Sequence, residues 1–285
     1  MAVWPVLRVK SVSLNARIAT AVPLAAVCAA AVYFLPSPVL AAGIGGIVML
    51  GAWEWAALAG ISAAPARSGY VAMLLALGGA LLGTADATVV TRLAIGAVIF
   101  WACALLLIVA TERGRFSLQR WPRFRVLCGV LVLLPPWLSL SVLHAGPQGA
   151  MQVLLLLILV WGADIAAYVA GRAWGRRRLS PAVSPGKSWE GVWAALIAGA
   201  VLGVLFGVAQ NLPVPGMIRF ALLAGMTVAA SIVGDLFESM VKRSANVKDS
   251  GTLLPGHGGI LDRIDSVTAA APIYLVGLHF AGSQS

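Results

Sequence analysis

Hydrophobic residues fall into long runs that are separated by short stretches rich in charged residues, Pro and Gly. Most of these runs are about 20 residues long, which is the length a helix needs to cross the hydrocarbon core of a bilayer. Dividing the chain at the polar stretches predicts nine spans, at 17–35, 38–60, 69–86, 92–110, 124–143, 150–172, 189–209, 218–240 and 266–282. The pattern therefore predicts an all-α, polytopic integral membrane protein with about nine transmembrane helices.

Positive charge is distributed unevenly over the segments between these spans. If the N-terminus is cytoplasmic, every Lys and Arg lies on the cytoplasmic side except Arg92 and Arg219. Such an excess is typical of cytoplasmic loops, and a wrong number of spans would blur it. We therefore expect a cytoplasmic N-terminus and an outside C-terminus. The basic stretch 113–125 is interpreted either as a surface for anionic lipid headgroups or as a topological anchor.

Composition excludes an ordinary soluble protein, since 60% of the 285 residues are hydrophobic and only 11% are charged. The net charge of +10 does not indicate a nucleic-acid partner, because the basic residues are spread over the loops. A cleaved signal peptide is an alternative for the first run, but its apolar part is longer than a typical signal core. The three cysteines have no paired spacing and are expected to be small buried hydrophobic residues.

Several acids lie within or at the ends of apolar runs, where an ionisable group indicates function by default. Asp164 and Asp235 are near the cytoplasmic ends of their predicted helices and could face one polar cavity from opposite sides. Glu54 is interpreted as an acid that merely pairs with a nearby Arg or Lys. Glu238 has an obvious helical partner in Lys242, four residues later.

The segment 234–266 combines three kinds of group that suit nucleotide phosphates. Asp262 and Asp265 share one face if a helix begins there, and Asp235 from the preceding helix would complete a three-carboxylate cluster for Mg²⁺. Between them, the glycine-rich stretch 255–259 allows the backbone to approach a ligand closely. Cations suited to phosphate oxygens occur in the same segment, namely Lys242, Arg243, Lys248 and Arg263.

Three blocks of the chain resemble the phosphatidate cytidylyltransferase family. Residues 239–265 read SMVKRSANVKDSGTLLPGHGGILDRID and are similar to the long signature of that family. Residues 184–191, SPGKSWEG, resemble a second family segment, with Ser188 in place of the commoner Thr. Residues 164–175, DIAAYVAGRAWG, resemble a third, which has the pattern Asp-x-x-Ala-Tyr-x-x-Gly. The resemblance covers residues 160–266, whereas residues 1–150 match mainly in hydropathy and at Trp53, Glu54 and Trp55.

The resemblance implies a multi-pass inner-membrane enzyme of phospholipid biosynthesis that transfers CMP from CTP to phosphatidic acid, giving CDP-diacylglycerol and pyrophosphate. It implies Mg²⁺ as cofactor, with a second, monovalent cation as an open question, and an active site that faces the cytoplasm. Residues 1–150 would form the N-terminal helices, spans 1 to 5. Residues 151–285 would form the catalytic region, with spans 6 to 9 and cytoplasmic loops 172–188 and 241–265.

The implied site residues fall into three groups. The catalytic group is Asp235, Lys242, Arg243, Lys248, Asp249, His257, Asp262 and Arg263. The substrate-binding group is Lys187, Ser188, Ser239, Gly258 and Gly259. The metal group is Asp164, Asp235, Asp262 and Asp265.

Three alternatives are weighed against this interpretation. A transporter would carry its acids near the midplane of repeated halves, and no internal repeat is visible. A CDP-alcohol phosphotransferase would carry an Asp-Gly-x-x-Ala-Arg run, which is absent. A CTP-dependent polyprenol kinase would release CDP instead of pyrophosphate. The oligomeric state is left open, with a homodimer as one alternative, and no residue motif identifies a cytidine pocket.

Overall fold

Nine α-helices and one short hairpin make up the computed structural model, which describes residues 14–251, 253 and 258–282. The helices are α1 (Leu14–Phe34), α2 (Ser37–Leu58), α3 (Ala64–Thr84), α4 (Ala87–Glu112), α5 (Pro122–Ala145), α6 (Gly149–Trp174), α7 (Trp189–Ala209), α8 (Val214–Ser244) and α9 (Leu261–Gly282). Antiparallel strands β1 (Arg178–Ser180) and β2 (Ser184–Ser188) form the hairpin between α6 and α7.

Each predicted span overlaps one of these helices, and seven helices, α2 to α8, are long and apolar enough to cross a membrane. The all-α class and a multi-pass membrane protein are thereby confirmed. In α1 the part whose side chains are described is the apolar stretch Pro23–Phe34, and the crossing of this helix stays a prediction. The crossing of α9 and the orientation of both termini likewise stay predictions, and residues 1–13 lie outside the described part.

The loop bounds differ from the sequence-based ones in two places. Residues 172–188 are not simply a loop, because the end of α6 and the hairpin occupy most of them. The segment 241–265 is shorter as a loop, since α8 continues to Ser244 and α9 begins at Leu261. Because α9 begins there, Asp262 and Asp265 lie in its first turns, as expected.

Small residues set the spacing of the helices in the C-terminal half. The buried positions of α7 are four glycines and one alanine, at Gly191, Ala195, Gly199, Gly203 and Gly207. A methyl group at Gly203 would lie 2.8 Å from the backbone oxygen of Phe220 in α8. Such stripes allow helix backbones to approach closely in a membrane. The opposite face of α7 carries exposed apolar side chains, which a bilayer would cover.

Both halves of the chain contribute to one core. Trp55 of α2, Phe237 of α8 and Tyr274 of α9 are among the largest fully buried side chains. Helix α9 packs on α4 and α5 as well as on α8, so the N-terminal helices support the segment that carries the signature. Of the three unpaired cysteines only Cys128 is buried; Cys28 is half-buried and Cys103 is exposed, so the expectation of burial is wrong for Cys103.

Candidate active site

A cavity of about 610 Å³ lies between α6, the hairpin and its junction with α7, and α8. Its polar lining residues are Asp164, Arg172, Lys187, Ser188 and Asp235. The structure therefore brings Asp164 and Asp235 to one cavity from different helices, as the sequence suggested. Arg172 is a cavity residue that the sequence-based set omitted, although its position one turn after Tyr168 in the third block is a usable signal.

An ion pair joins the family-like block 184–191 to the segment 234–266 across this cavity. The ammonium Nζ of Lys187 lies 2.5 Å from Oδ2 of Asp235, and the two side chains are 26% and 29% exposed. Ser239, one turn further along α8, donates its hydroxyl to Oδ1 of Asp235 at 3.4 Å. Because both charged groups remain partly open to solvent, an anionic ligand could reach the ammonium without a large rearrangement.

Close packing of α6 against the start of α7 forms one wall of the cavity. Ser188 is buried and caps α7, since its Oγ accepts a hydrogen bond from the amide of Gly191 at 3.2 Å. A methyl group at Gly171 would lie 3.1 Å from this Oγ, and one at Gly191 would lie 2.8 Å from the carbonyl oxygen of Ala167. Ser188 thus shapes the cavity wall, and its predicted contact with substrate stays a prediction.

The hairpin that carries Lys187 is fastened to the N-terminal half by Glu112, the last residue of α4. The carboxylate accepts hydrogen bonds from the amides of Ala182 at 3.1 Å and Val183 at 3.0 Å, and from the hydroxyl of Ser180. The sequence pattern assigned no role to Glu112. Its partners are mostly backbone amides, which no residue pattern reveals.

A second charged cluster lies where α8 meets α9. Lys242 is buried, and its Nζ lies 3.1 Å from Glu238 and 2.5 Å from Oδ1 of Asp262. The predicted helical pair of Glu238 and Lys242 is confirmed. The ammonium is therefore neutralised from both sides, which makes Lys242 a different kind of group from the open Lys187.

The second carboxylate oxygen of Asp262, Oδ2, holds Ser250 and the end of the glycine-rich stretch. Oδ2 accepts from the amides of Gly259 at 2.8 Å and Ser250 at 3.0 Å, and lies 3.1 Å from the Ser250 hydroxyl. Gly258 adopts a φ of +83°, and a methyl group there would lie 2.7 Å from the same oxygen. Asp262 precedes the predicted span 266–282. Burial acts to raise the pKa of its carboxyl, but Lys242 and the two amides outweigh burial and lower the pKa.

Glu54 belongs to the site region, contrary to its interpretation as an acid paired with a cation. Its carboxylate, on α2, is only 3% exposed. It accepts hydrogen bonds from the amides of Ile260 and Leu261, both at 3.0 Å, and from the hydroxyl of Ser250 at 2.8 Å. The expected partner was wrong because a buried carboxylate can be satisfied by amides at a helix start as well as by an ammonium or guanidinium.

The other predicted site residues are distributed around these two clusters. Arg243, Lys248, Asp249 and Arg263 are exposed. Arg243 donates to the carbonyl oxygens of Val183 and Val247, at 3.4 and 3.2 Å, so it links the hairpin to the loop after α8. His257 lies outside the described residues.

Asp265 is partly buried beside α8, where a methyl group at Gly234 would lie 2.5 Å from its backbone oxygen. Its Oδ1 accepts from the amide of Ser266 at 2.7 Å. Among the described residues, no group of three or more His, Cys, Asp or Glu side chains is arranged to hold a metal ion. The cavity carboxylates are the pair Asp164 and Asp235.

Fold and site together define a class of protein, a multi-pass helical membrane protein with a cavity lined by charged side chains. The model of the cytidylyltransferase family matches residues 15–281, and the chain belongs to that family.

Curated relatives are similar over most of the chain. It is 42% identical over 270 residues to a phosphatidate cytidylyltransferase of Pseudomonas aeruginosa, which is 94% of this chain and 98% of that protein. It is 37% identical over 279 residues to the phosphatidate cytidylyltransferase of Haemophilus influenzae, 92% of this chain and 97% of that protein. A Brucella suis protein of the same name is 41% identical over 181 residues, 63% of each chain.

Proposed function

We propose that the protein transfers CMP from CTP to phosphatidic acid and releases CDP-diacylglycerol and pyrophosphate. The observation that carries the proposal is the 2.5 Å contact between Lys187 and Asp235 in the cavity. It joins the block 184–191 to Asp235 of the segment 234–266, and the part 239–265 of that segment resembles the same enzyme family as the block. Relatives that match nearly the whole chain bear the name of this activity.

The reaction joins two anions and needs no strong base. An oxygen of the lipid phosphate forms a bond to the α-phosphorus of CTP, while the bond from that phosphorus to the β-phosphate oxygen breaks. A phosphomonoester has a second pKa of about 6, so near neutral pH the attacking group is already largely deprotonated. The protein has to neutralise the mutual repulsion, align the two phosphates and stabilise charge on the leaving pyrophosphate.

We assign the charged side chains to different phosphates according to their exposure and their existing contacts. Lys187 and Arg172 line the cavity and are assigned to phosphate oxygens there. The exposed Arg243, Lys248 and Arg263 are assigned to the remaining phosphates, together with Asp249, which follows Lys248 in the chain. Lys242 already contacts two carboxylates, so we assign it to holding Asp262 in place. Gly258 and Gly259 let the loop backbone pass close to that carboxylate.

Magnesium fits the cavity better than the junction of α8 and α9. Mg²⁺ is usually held by one or two carboxylates together with substrate phosphates, and Asp164 and Asp235 line one cavity. Both oxygens of Asp262 are held, and Oδ2 accepts from two backbone amides, whereas the partners of Asp235 among the described residues are the side chains of Lys187 and Ser239, which can turn away. We therefore propose Asp235 and Asp164 as the principal ligands, with the predicted roles of Asp262 and Asp265 second. When bound, the metal would supply neutralisation of phosphate charge.

The proposed location is the bacterial inner membrane with the cavity on the cytoplasmic side, because CTP is cytoplasmic and phosphatidic acid is a membrane lipid. The excess of Lys and Arg on one predicted side supports this orientation. A homodimer and a second, monovalent cation stay predictions.

Purified protein with Mg²⁺, labelled CTP and phosphatidic acid in detergent micelles tests the proposal. We expect label in a lipid product and release of pyrophosphate, and we expect Asp235→Asn to reduce the rate by about 100-fold or more. Asp86→Asn is the matched control, since Asp86 caps α4 and Asn caps a helix equally well.

Release of CDP in place of pyrophosphate would indicate a kinase and overturn the proposal. A normal rate for Asp235→Asn would remove that carboxylate from the site while leaving the activity itself standing.

A further inference from the structure

The carboxylate of Glu54 connects the N-terminal half of the protein to the loop after α8. We propose that Glu54 is a positioning residue that holds the two described ends of the loop after α8, residues 250–251 and 258–261, in their active arrangement, an inference that rests on the proposed function. From the described residues it accepts three hydrogen bonds, which come from both ends of that loop: from the Ser250 hydroxyl and from the amides of Ile260 and Leu261. The carboxylate of Glu54 therefore connects the two ends of the loop to each other.

Glu54 lies on a part of α2 that is held firmly against α5. The neighbouring Trp55 is fully buried, and its indole donates to the carbonyl oxygen of Arg125 in α5 at 2.8 Å. The guanidinium of Arg125 donates in return to the carbonyl oxygen of Leu58 at 2.9 Å. These reciprocal bonds fix the end of α2 against α5. The position of the Glu54 carboxylate is therefore held by contacts that do not involve the loop.

The loop is shaped to receive this carboxylate. A methyl group at Gly251 or at Gly259 would collide with the oxygens of Glu54, and at Gly259 also with the hydroxyl of Ser250. A methyl group at Gly51, one turn before Glu54 on α2, would lie 3.1 Å from Leu261. Glycine at these positions thus allows α2, the loop and the start of α9 to lie within hydrogen-bonding distance.

A chain of contacts leads from Glu54 to the second charged cluster. The Ser250 hydroxyl has a single proton and lies 2.8 Å from Glu54 and 3.1 Å from Asp262. Asp262 in turn contacts Lys242, which contacts Glu238 of α8. Loss of Glu54 would leave two amides at the start of α9 without their acceptor and would release Ser250, so Asp262 would lose part of its alignment.

A purely stabilising cap is the alternative role, and it predicts different data. If Glu54 only stabilised the fold, Glu54→Gln would lower the yield or the melting temperature, but the folded protein would keep normal kinetic constants. If Glu54 positions the loop, the folded variant has a lower kcat or a higher KM for CTP. The backbone amides of residues 250–261 would also exchange hydrogen faster while those of α5 are unchanged.

The test compares wild type, Glu54→Gln, Glu54→Ala and the control Asp86→Asn by kinetics and by hydrogen–deuterium exchange of the purified proteins. Glu54→Gln keeps the size of the side chain and removes one acceptor. We expect kcat/KM to fall by about 10- to 100-fold for Glu54→Gln and further for Glu54→Ala. We expect faster exchange at residues 250–261 in both Glu54 variants, and wild-type behaviour for Asp86→Asn.

A double-mutant cycle keeps the proposal testable if Glu54→Ala does not fold. Glu54→Gln and Ser250→Ala should be non-additive in kcat/KM, because both remove the same link to Asp262. Normal kinetic constants together with unchanged loop exchange in Glu54→Gln would overturn the proposal. Faster loop exchange in Glu54 variants of a protein whose wild type makes no CDP-diacylglycerol would instead reject the proposed function and leave the positioning role intact.

Discussion

Lys187 and Asp235 illustrate how a single contact prepares a site for an anion. Each side chain of the pair is about a quarter exposed, so the contact does not carry the full desolvation cost of a buried salt bridge. An incoming phosphate can therefore compete for the ammonium. Lys242, by contrast, is only 8% exposed and is held by two carboxylates, which makes it a structural cation.

Replacing Lys187 by Met tests this difference at the residue scale. The change keeps most of the stem and removes the charge, and we expect kcat/KM for CTP to fall by about 100-fold or more because a phosphate contact inside the cavity is lost. Arg92→Met is the control, since Arg92 is exposed at the start of α4 and also loses one positive charge. Equal rates for the two variants would contradict the role of Lys187.

At the scale of elements, the hairpin is the part of the site that local sequence describes least well. Its strands have only three and five residues, and a two-stranded hairpin has little stability alone. Glu112 supplies the missing support through Ala182, Val183 and Ser180. The position of Lys187 thus depends on an acid 75 residues earlier in the chain.

We expect Glu112→Gln to loosen the hairpin without disturbing the helices. Arg178 and Lys187 lie in its strands, so limited trypsin digestion should cut between α6 and α7 faster than in wild type, and kcat/KM should fall by about tenfold. Asp86→Asn again serves as the matched carboxylate-to-amide change. Wild-type cleavage and activity in Glu112→Gln would show that the hairpin does not depend on this carboxylate.

For the whole molecule, function requires that the charged end of the bundle faces the compartment that contains CTP. Loops that join the predicted spans alternate between basic and nearly uncharged, which sets the expected orientation. The N-terminal helices do more than cross the membrane, since Glu54 of α2 and Glu112 of α4 each hold a segment of the site. The two halves of the chain therefore act as one structural unit at this end.

Labelling of single cysteines tests the orientation. In a variant without Cys28, Cys103 and Cys128, Ser117→Cys places one exposed thiol in the connection between α4 and α5, and Ala145→Cys places one at the other end of α5. We expect a membrane-impermeant maleimide to label Ala145→Cys, but not Ser117→Cys, in intact spheroplasts, because the basic loop is predicted to be cytoplasmic. Detergent permeabilisation should make both react. Labelling of Ser117→Cys alone before permeabilisation would reverse the topology.

The sequence by itself determined the features that depend on local physics. Span length and hydropathy are properties of contiguous residues, so the helices α2 to α8 were predictable. The pair of Glu238 and Lys242 follows from spacing along one helix. The resemblance of three blocks to one enzyme family also required only the order of residues.

Only the tertiary structure decided which groups meet. Lys187 and Asp235 are distant in the chain, and their contact depends on the packing of α6, α7 and α8 and on the hairpin. Glu54 was assigned the wrong partner and Glu112 no role, because the partners of both are largely backbone amides. Every residue except Pro carries such an amide, so no sequence pattern distinguishes the few that need an acceptor. Only the folded structure shows which amides have a carboxylate oxygen 3.0 Å away, as Val183 and Ile260 do.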